Sequence, residues 1–219
     1  MNKKNALLLE KKIITEENII KTITEENIIT KEKTTDTQIE YKKNKEQTIK
    51  EKLYEIRKSE IHNKGAYAIK DIPKGTIIAI YKGEKITKEE SEKRANERLK
   101  KHKENQQGVA AVYIFELNEN YDIDGDVPDN DAKYINHSCD PNCEVDIVND
   151  EIIIYTIKDV KKGEELTFNY GFEFDEEFIE HPCRCGSKNC VGYILAEEEW
   201  PKLKEYLSKK QQKIYNNKH

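Results

Sequence analysis

Two short stretches hold the side chains best able to do chemistry. Asn136-His137-Ser138-Cys139-Asp140-Pro141-Asn142-Cys143 gathers an amide, an imidazole and two thiols, and Glu165-Leu166-Thr167-Phe168-Asn169-Tyr170-Gly171 closes an apolar run with a phenol. A buried Asn-His pair must find a partner for every polar atom, and a bound ligand is a natural one. A phenol at the end of a strand can orient a reacting group by hydrogen bonding without acting as a nucleophile. Cys183, Cys185 and Cys190 add three more thiols at metal-ligand spacing, one short of the tetrahedral set that structural zinc takes.

All five cysteines lie at or beyond position 139. An odd count argues against a disulfide framework and for metal ligation in a reducing compartment. The residues alone leave the fourth ligand open between Cys139 and Cys143, the other being a small buried residue. His137 as metal ligand or general base is disfavoured, because no second His or carboxylate stands at zinc spacing nearby. A near-match to a calcium loop runs from Asn120 through Asp122, Asp124 and Gly125 to Asp131. It begins with Asn, ends with Asp in place of the bidentate Glu, and follows strand-like rather than helical residues. Its acids read instead as part of an acidic rim with Glu116, Glu119, Glu173, Asp175, Glu176 and Glu177, suited to a basic peptide.

The elements that must position these residues are mostly strands. Short β-rich runs at 66–69, 76–81, 109–115, 151–157 and 166–168 are punctuated by turn signals such as Asp71-Ile72-Pro73-Lys74-Gly75. Residues 88–107 read as a polar surface helix capped by Thr87, and residues 197–215 as a closing helix. Before position 50 a nine-residue near-repeat (Ile14-Thr15-Glu16-Glu17-Asn18-Ile19-Ile20, then Ile23-Thr24-Glu25-Glu26-Asn27-Ile28-Ile29) has too few copies for a solenoid and reads as a flexible or partly helical extension.

Composition bounds the partners. Residues 1–58 carry 14 basic against 11 acidic side chains, so of the 38 and 43 in the whole chain the remainder holds 24 and 32. That acidic remainder repels a nucleic-acid backbone and attracts a Lys/Arg-rich peptide. No apolar run approaches a membrane span and no export signal is evident, so the expectation is an intracellular, soluble protein of cytoplasm or nucleus. The Ile/Lys/Asn-heavy composition suggests an AT-rich microbial or viral genome, which adds delivery to a host cell as a further option.

Taken together, the Asn-His block, the Glu165–Gly171 block and the three-cysteine tail resemble the SET-domain family of protein lysine methyltransferases with its post-SET tail. The resemblance covers roughly residues 59–194. It implies a mostly β fold of several small sheets with inserted helices, pseudoknot-like threading of the Asn-His segment beside the Tyr170 segment, a zinc-closed tail and a C-terminal helix. The expected divisions are an extension at 1–50, the SET domain at 51–175, the post-SET segment at 176–196 and a helix at 197–219.

The resemblance also implies roles. The reaction would be S-adenosylmethionine-dependent methylation of a lysine on a basic, histone-like protein, with zinc as structural metal. Tyr170 would orient the amine and the methyl group, Tyr81 in Tyr81-Lys82-Gly83-Glu84 would wall the lysine channel, and Phe168 would leave room for di- or trimethylation. Lys64, Gly65, Ala66 and Tyr67 would form the first cofactor segment, with Asn136, His137, Tyr170 and Tyr193 completing the cofactor site. Cys139 would join Cys183, Cys185 and Cys190 on zinc. Two departures stand out: Lys133-Tyr134 replaces an Arg-Phe pair, and Asn63 replaces the first glycine of the cofactor segment. Asn tolerates left-handed backbone better than most residues. That substitution keeps open the alternative of a non-catalytic zinc module that binds basic peptides.

Overall fold

The computed structural model describes residues 51–105 and 113–216. The near-repeat before residue 50 and residues 109–112 of one expected strand lie outside the described residues. Three small sheets form the body. The first has the order β1 (Tyr54–Lys58), β2 (Lys64–Ala68), β10 (Glu165–Phe168), β7 (Asn136–His137). The second sets β9 (Glu151–Thr156) between β3 (Ile77–Ile80) and β8 (Cys143–Val148), and the third sets β6 (Tyr121–Asp124) between β4 (Glu84–Thr87) and β5 (Ile114–Glu116). Among the described residues every strand pairing is antiparallel except that of β7 with β10.

One core draws Ala66 and Ala68 from β2, Ile78 from β3, Ile152 and Ile154 from β9 and Leu166 and Phe168 from β10. The small side chains of β2 let a strand with neighbours on both edges be covered tightly, and both alanines are fully buried. β9 buries three consecutive isoleucines, which is why it reads as a continuous apolar run rather than an alternating one.

Helix α1 (Lys88–Asn105) starts where the sequence places it: the Glu90 N–H donates to Thr87 Oγ1 at 3.3 Å. Its docking is charged. Arg94 Nη1 donates to Asp124 Oδ2 at 2.8 Å, Arg98 Nη2 to both Asp124 oxygens at 3.0 and 2.8 Å, and Lys88 Nζ to Asp122 Oδ1 at 2.7 Å. Burial would push the Asp124 carboxyl up, but Arg98 and Arg94 more than offset it and hold it below its usual value. The expected acidic rim is therefore corrected at two positions: Asp122 and Asp124 are buried, ion-paired residues of the central strand β6. A strand with carboxylates on its covered face inverts the usual hydrophobic pattern, so alternation could not reveal it.

The C-terminal helix, α2 (Trp200–Asn216), follows a 3-10 turn at Glu197–Glu199. Leu203 packs with Phe178 and Leu195 in a second, smaller core, joined by Phe174, Val191, Tyr193 and Trp200. Among the described residues no helix is long and apolar enough to cross a membrane. The two cores and the exposed sheet face give a direct contrast. Ile154→Ala, at a fully buried position, is expected to destabilise by about 2–5 kcal/mol. Ile147→Ala, 44% exposed on β8, should change stability by less than about 0.5 kcal/mol, as urea midpoints would show.

Candidate active site and metal centre

The parallel register sets Thr167 opposite Asn136 and Phe168 opposite His137. Beyond the strand ends the contact continues through both backbone and side-chain groups. The Ser138 N–H donates to the Phe168 carbonyl at 3.1 Å, and the Tyr170 N–H donates to His137 Nδ1 at 3.1 Å. The Tyr170 hydroxyl donates to the Ile135 carbonyl at 3.0 Å. Burial raises the Tyr170 phenol well above its ordinary value, so it stays a protonated donor rather than a base. Burial also pushes the His137 imidazole down to about 4, keeping it neutral.

Rings continue outward from Tyr170. Phe168 lies 4.9 Å from it, Phe115 5.6 Å from Phe168 and Tyr81 4.6 Å from Phe115, measured between centroids. The buried Tyr81 hydroxyl donates to the Tyr113 carbonyl at 3.0 Å. Gly125 makes room for that ring: a Cβ there would fall 2.3 Å from the Tyr81 hydroxyl. This glycine, legible in the sequence only as the sixth place of a calcium-like loop, serves the aromatic wall. Phe115 was legible only as part of a strand.

One cavity of about 680 Å³ runs past these rings, within the range of small-molecule sites. Of the expected residues, its walls include Lys64, Asn136 and His137 together with Tyr81, Phe168 and Tyr170. The rest of the expected cofactor set is not among its lining residues. Ala66 is fully buried in the core, the Tyr67 hydroxyl donates to Glu165 Oε2 at 2.9 Å, and Tyr193 packs edge-on against Phe178 at 4.9 Å. A Cβ on Gly65 would meet Glu165 Oε1 at 2.1 Å. The residues that reach the cavity in their place are Ile61, His62 and Asn63 from the preceding turn and His181, Arg184 and Ile194 from the tail. Asn63 and Arg184 lie within motifs the sequence singled out; the signal of the others was adjacency to a motif.

Glu165 ties this region together. Its carboxylate accepts from Ser59 Oγ at 2.8 Å, from Tyr67, and from Asn136 Nδ2 at 2.7 Å, while Asn136 Nδ2 also reaches the Lys64 carbonyl at 2.9 Å. Asn63 sits at φ 37°, the left-handed backbone that glycine would have supplied. The substitution at that position therefore keeps the turn.

The sulfurs of Cys139, Cys183, Cys185 and Cys190 all lie within 4.8 Å of one another, with Cys139 and Cys183 at 3.8 Å. A tetrahedral ion with zinc–sulfur bonds of about 2.3 Å spaces its sulfurs about 3.8 Å apart, so the four residues fit zinc. Backbone N–H groups already face the cluster, from Cys185 to Cys183 Sγ and from Gly192 to Cys190 Sγ, each at 3.4 Å. Cys143 stands apart, 1% exposed in the main core, its thiol pushed up to about 12 by burial.

Small sheets around a ring-lined cavity, closed by a four-cysteine cluster, define the class to which the sequence pointed. Residues 63–171 match the family model described as SET domain, and the chain belongs to the SET-domain family. It is 36% identical over 150 residues to a histone-lysine N-methyltransferase, H3 lysine-4 specific, of Chaetomium globosum, covering 66% of this chain and 13% of that protein. It is 39% identical over 143 residues to human histone-lysine N-methyltransferase 2D, covering 64% of this chain and 2% of that protein. An H3 lysine-4 specific enzyme of Saccharomyces cerevisiae is 37% identical over 142 residues, 63% of this chain and 13% of that protein. The matched segment is thus a small part of each relative.

Two outcomes test the site. Cys183→Ser and Cys185→Ser should each abolish stoichiometric zinc in the purified protein, whereas Cys143→Ala should retain it, read by elemental analysis. Gly125→Ala should lower the unfolding free energy by about 1–3 kcal/mol by displacing Tyr81, visible in denaturant titration.

Proposed function

We propose that this chain is an S-adenosylmethionine-dependent protein-lysine N-methyltransferase acting on a basic, histone-like tail, with a zinc ion closing its post-SET segment. The observation that carries the reading is a single cavity whose walls include both the Asn136-His137 pair and the Tyr81-Phe168-Tyr170 rings. We further assign 51–175 to the SET domain, 176–196 to the post-SET segment and the residues from 197 onward to an appended segment that contains α2.

The bound cofactor would supply an electrophilic methyl group. Everything else falls to the chain. A solvated lysine is charged, with a pKa of about 10.4, and must lose a proton before it can attack. The ring-lined, water-poor end of the cavity disfavours the ammonium form. The Tyr170 hydroxyl and the Ile135 carbonyl, already 3.0 Å apart, are placed to hold the amine and a polarised methyl in line. Phe168 brings no hydroxyl into that space, which favours accepting an amine that already bears methyl groups.

Charge supports the substrate class. Glu116 lines the cavity and is exposed, and Glu119, Glu173, Asp175, Glu176 and Glu177 are exposed as well. A Lys/Arg-rich peptide is the complementary partner. The relatives' names specify histone H3 lysine-4, and that target is the first to try.

Incubation with labelled S-adenosylmethionine and a panel of basic proteins, followed by mass spectrometry, should find methyl groups on lysine. Tyr170→Phe is expected to lower kcat about a hundredfold with cofactor affinity little changed, and Phe168→Tyr to shift products toward monomethyl-lysine. Cofactor binding without label on any basic protein would favour the non-catalytic module. The pH profile follows from the raised Tyr170 phenol. Because that group stays protonated, kcat should climb with pH as the substrate amine deprotonates and show no decline below about pH 10.

A further inference from the structure

We propose that His137 is a positioning residue that couples the cysteine metal centre to Tyr170, its Nε2–H donating to the Cys139 sulfur while its Nδ1 accepts the Tyr170 backbone N–H. The two contacts are 3.6 and 3.1 Å, and both His137 and Cys139 are buried. The direction of each bond follows from elementary valence. A backbone N–H can only donate, so His137 Nδ1 must present its lone pair to Tyr170. An imidazolium would point a proton at that N–H and is excluded by the same contact. The neutral ring then carries its single proton on Nε2, and Nε2 is the nitrogen facing Cys139.

The sulfur is thereby cast as an acceptor, the role a metal-bound thiolate fills and a thiol fills weakly. One ring thus spans the two halves of the site. At one end it satisfies the backbone of the residue that lines the reaction cavity; at the other it donates to a ligand of the metal cluster. The backbone of His137 is itself held by its pairing with Phe168, so the ring cannot swing without releasing both partners. When the metal leaves, the Nε2–H no longer faces a metal-bound sulfur, and the hold on the Tyr170 backbone loosens with it. Metal occupancy is read out at the tyrosine. The proposal rests on the zinc assignment above, and on the methyl-transfer reading for its kinetic arm alone.

Three measurements on the full chain test it. In cadmium-113-substituted wild-type protein, long-range proton–nitrogen spectra should show His137 protonated on Nε2 and bare on Nδ1, and chelation of the metal should shift the Tyr170 amide resonance. A ring protonated on Nδ1, or a Tyr170 amide indifferent to chelation, would overturn the coupling. His137→Asn keeps an acceptor at the near position and removes the donor to sulfur, so zinc transfer to a chromogenic chelator should speed about 10- to 100-fold. His137→Gln keeps a donor at the far position and removes the near acceptor. It should leave zinc transfer within about twofold of wild type and lower kcat about tenfold. Wild-type zinc transfer in the Asn variant would sink the link to Cys139. Should the wild-type chain transfer no methyl group at all, the function falls, while the spectroscopic and chelator arms still decide this proposal.

Discussion

A strand with neighbours on both edges must have its backbone groups satisfied on both, and β10 is where that constraint shapes the site. On one side β2 pairs with Glu165 and Leu166; on the other, β7 offers only two residues. A side chain makes up the difference. Asn142 Nδ2 donates to the Glu165 carbonyl at 2.8 Å, and its Oδ1 accepts the Thr167 N–H at 2.9 Å, so one carboxamide does the work of a short partner strand. The short parallel contact frees the chain to diverge immediately afterwards. Tyr170 then leaves the sheet and turns toward the cavity.

The tail solves a different problem. Its own core is three buried residues, Phe178, Leu195 and Leu203, with four aromatic or aliphatic neighbours, and that is too little to fix a fold of its own. A metal held by the four sulfurs would add cohesion that apolar area does not supply. Because one of the clustered sulfurs, Cys139, comes from the segment just after β7, the same centre would anchor the tail to the Asn-His block. Backbone bonds continue the attachment: the Ala196 N–H donates to the Phe172 carbonyl at 2.8 Å, two residues past Tyr170. Tail residues His181, Arg184 and Ile194 thus reach a cavity that Tyr81, Asn136, His137 and Tyr170 also line.

Charge is used in two opposite ways. On β6, Asp122 and Asp124 are buried and consumed by Lys88, Arg94 and Arg98, which fastens α1 to the third sheet and so steadies the strand that neighbours Phe115. Glu116, one residue from Phe115, stays exposed at the cavity mouth. Acids that look alike in the sequence therefore divide into those that hold the structure and those free to meet a partner. Burial makes that division, and burial is not written in residue type.

By itself the sequence determined the kinds of chemistry on offer: the Asn-His pair, the strand-end tyrosine, three spaced thiols, the Thr87 cap and the β-rich texture, each readable because it depends on residue type and short-range spacing. Asn63 belongs with these, since its tolerance of positive φ is a local property. Tertiary structure alone decided which atoms meet. It chose Cys139 over Cys143 as the sulfur beside the tail, left Gly65, Ala66, Tyr67 and Tyr193 out of the cavity lining, and brought in Phe115, Gly125 and Glu165. It also turned two acids of the expected rim into buried residues of a central strand. These outcomes depend on contacts between segments tens of residues apart, where the close packing of rings, thiols and carboxylates sets each neighbour, and no pattern along the chain encodes that geometry.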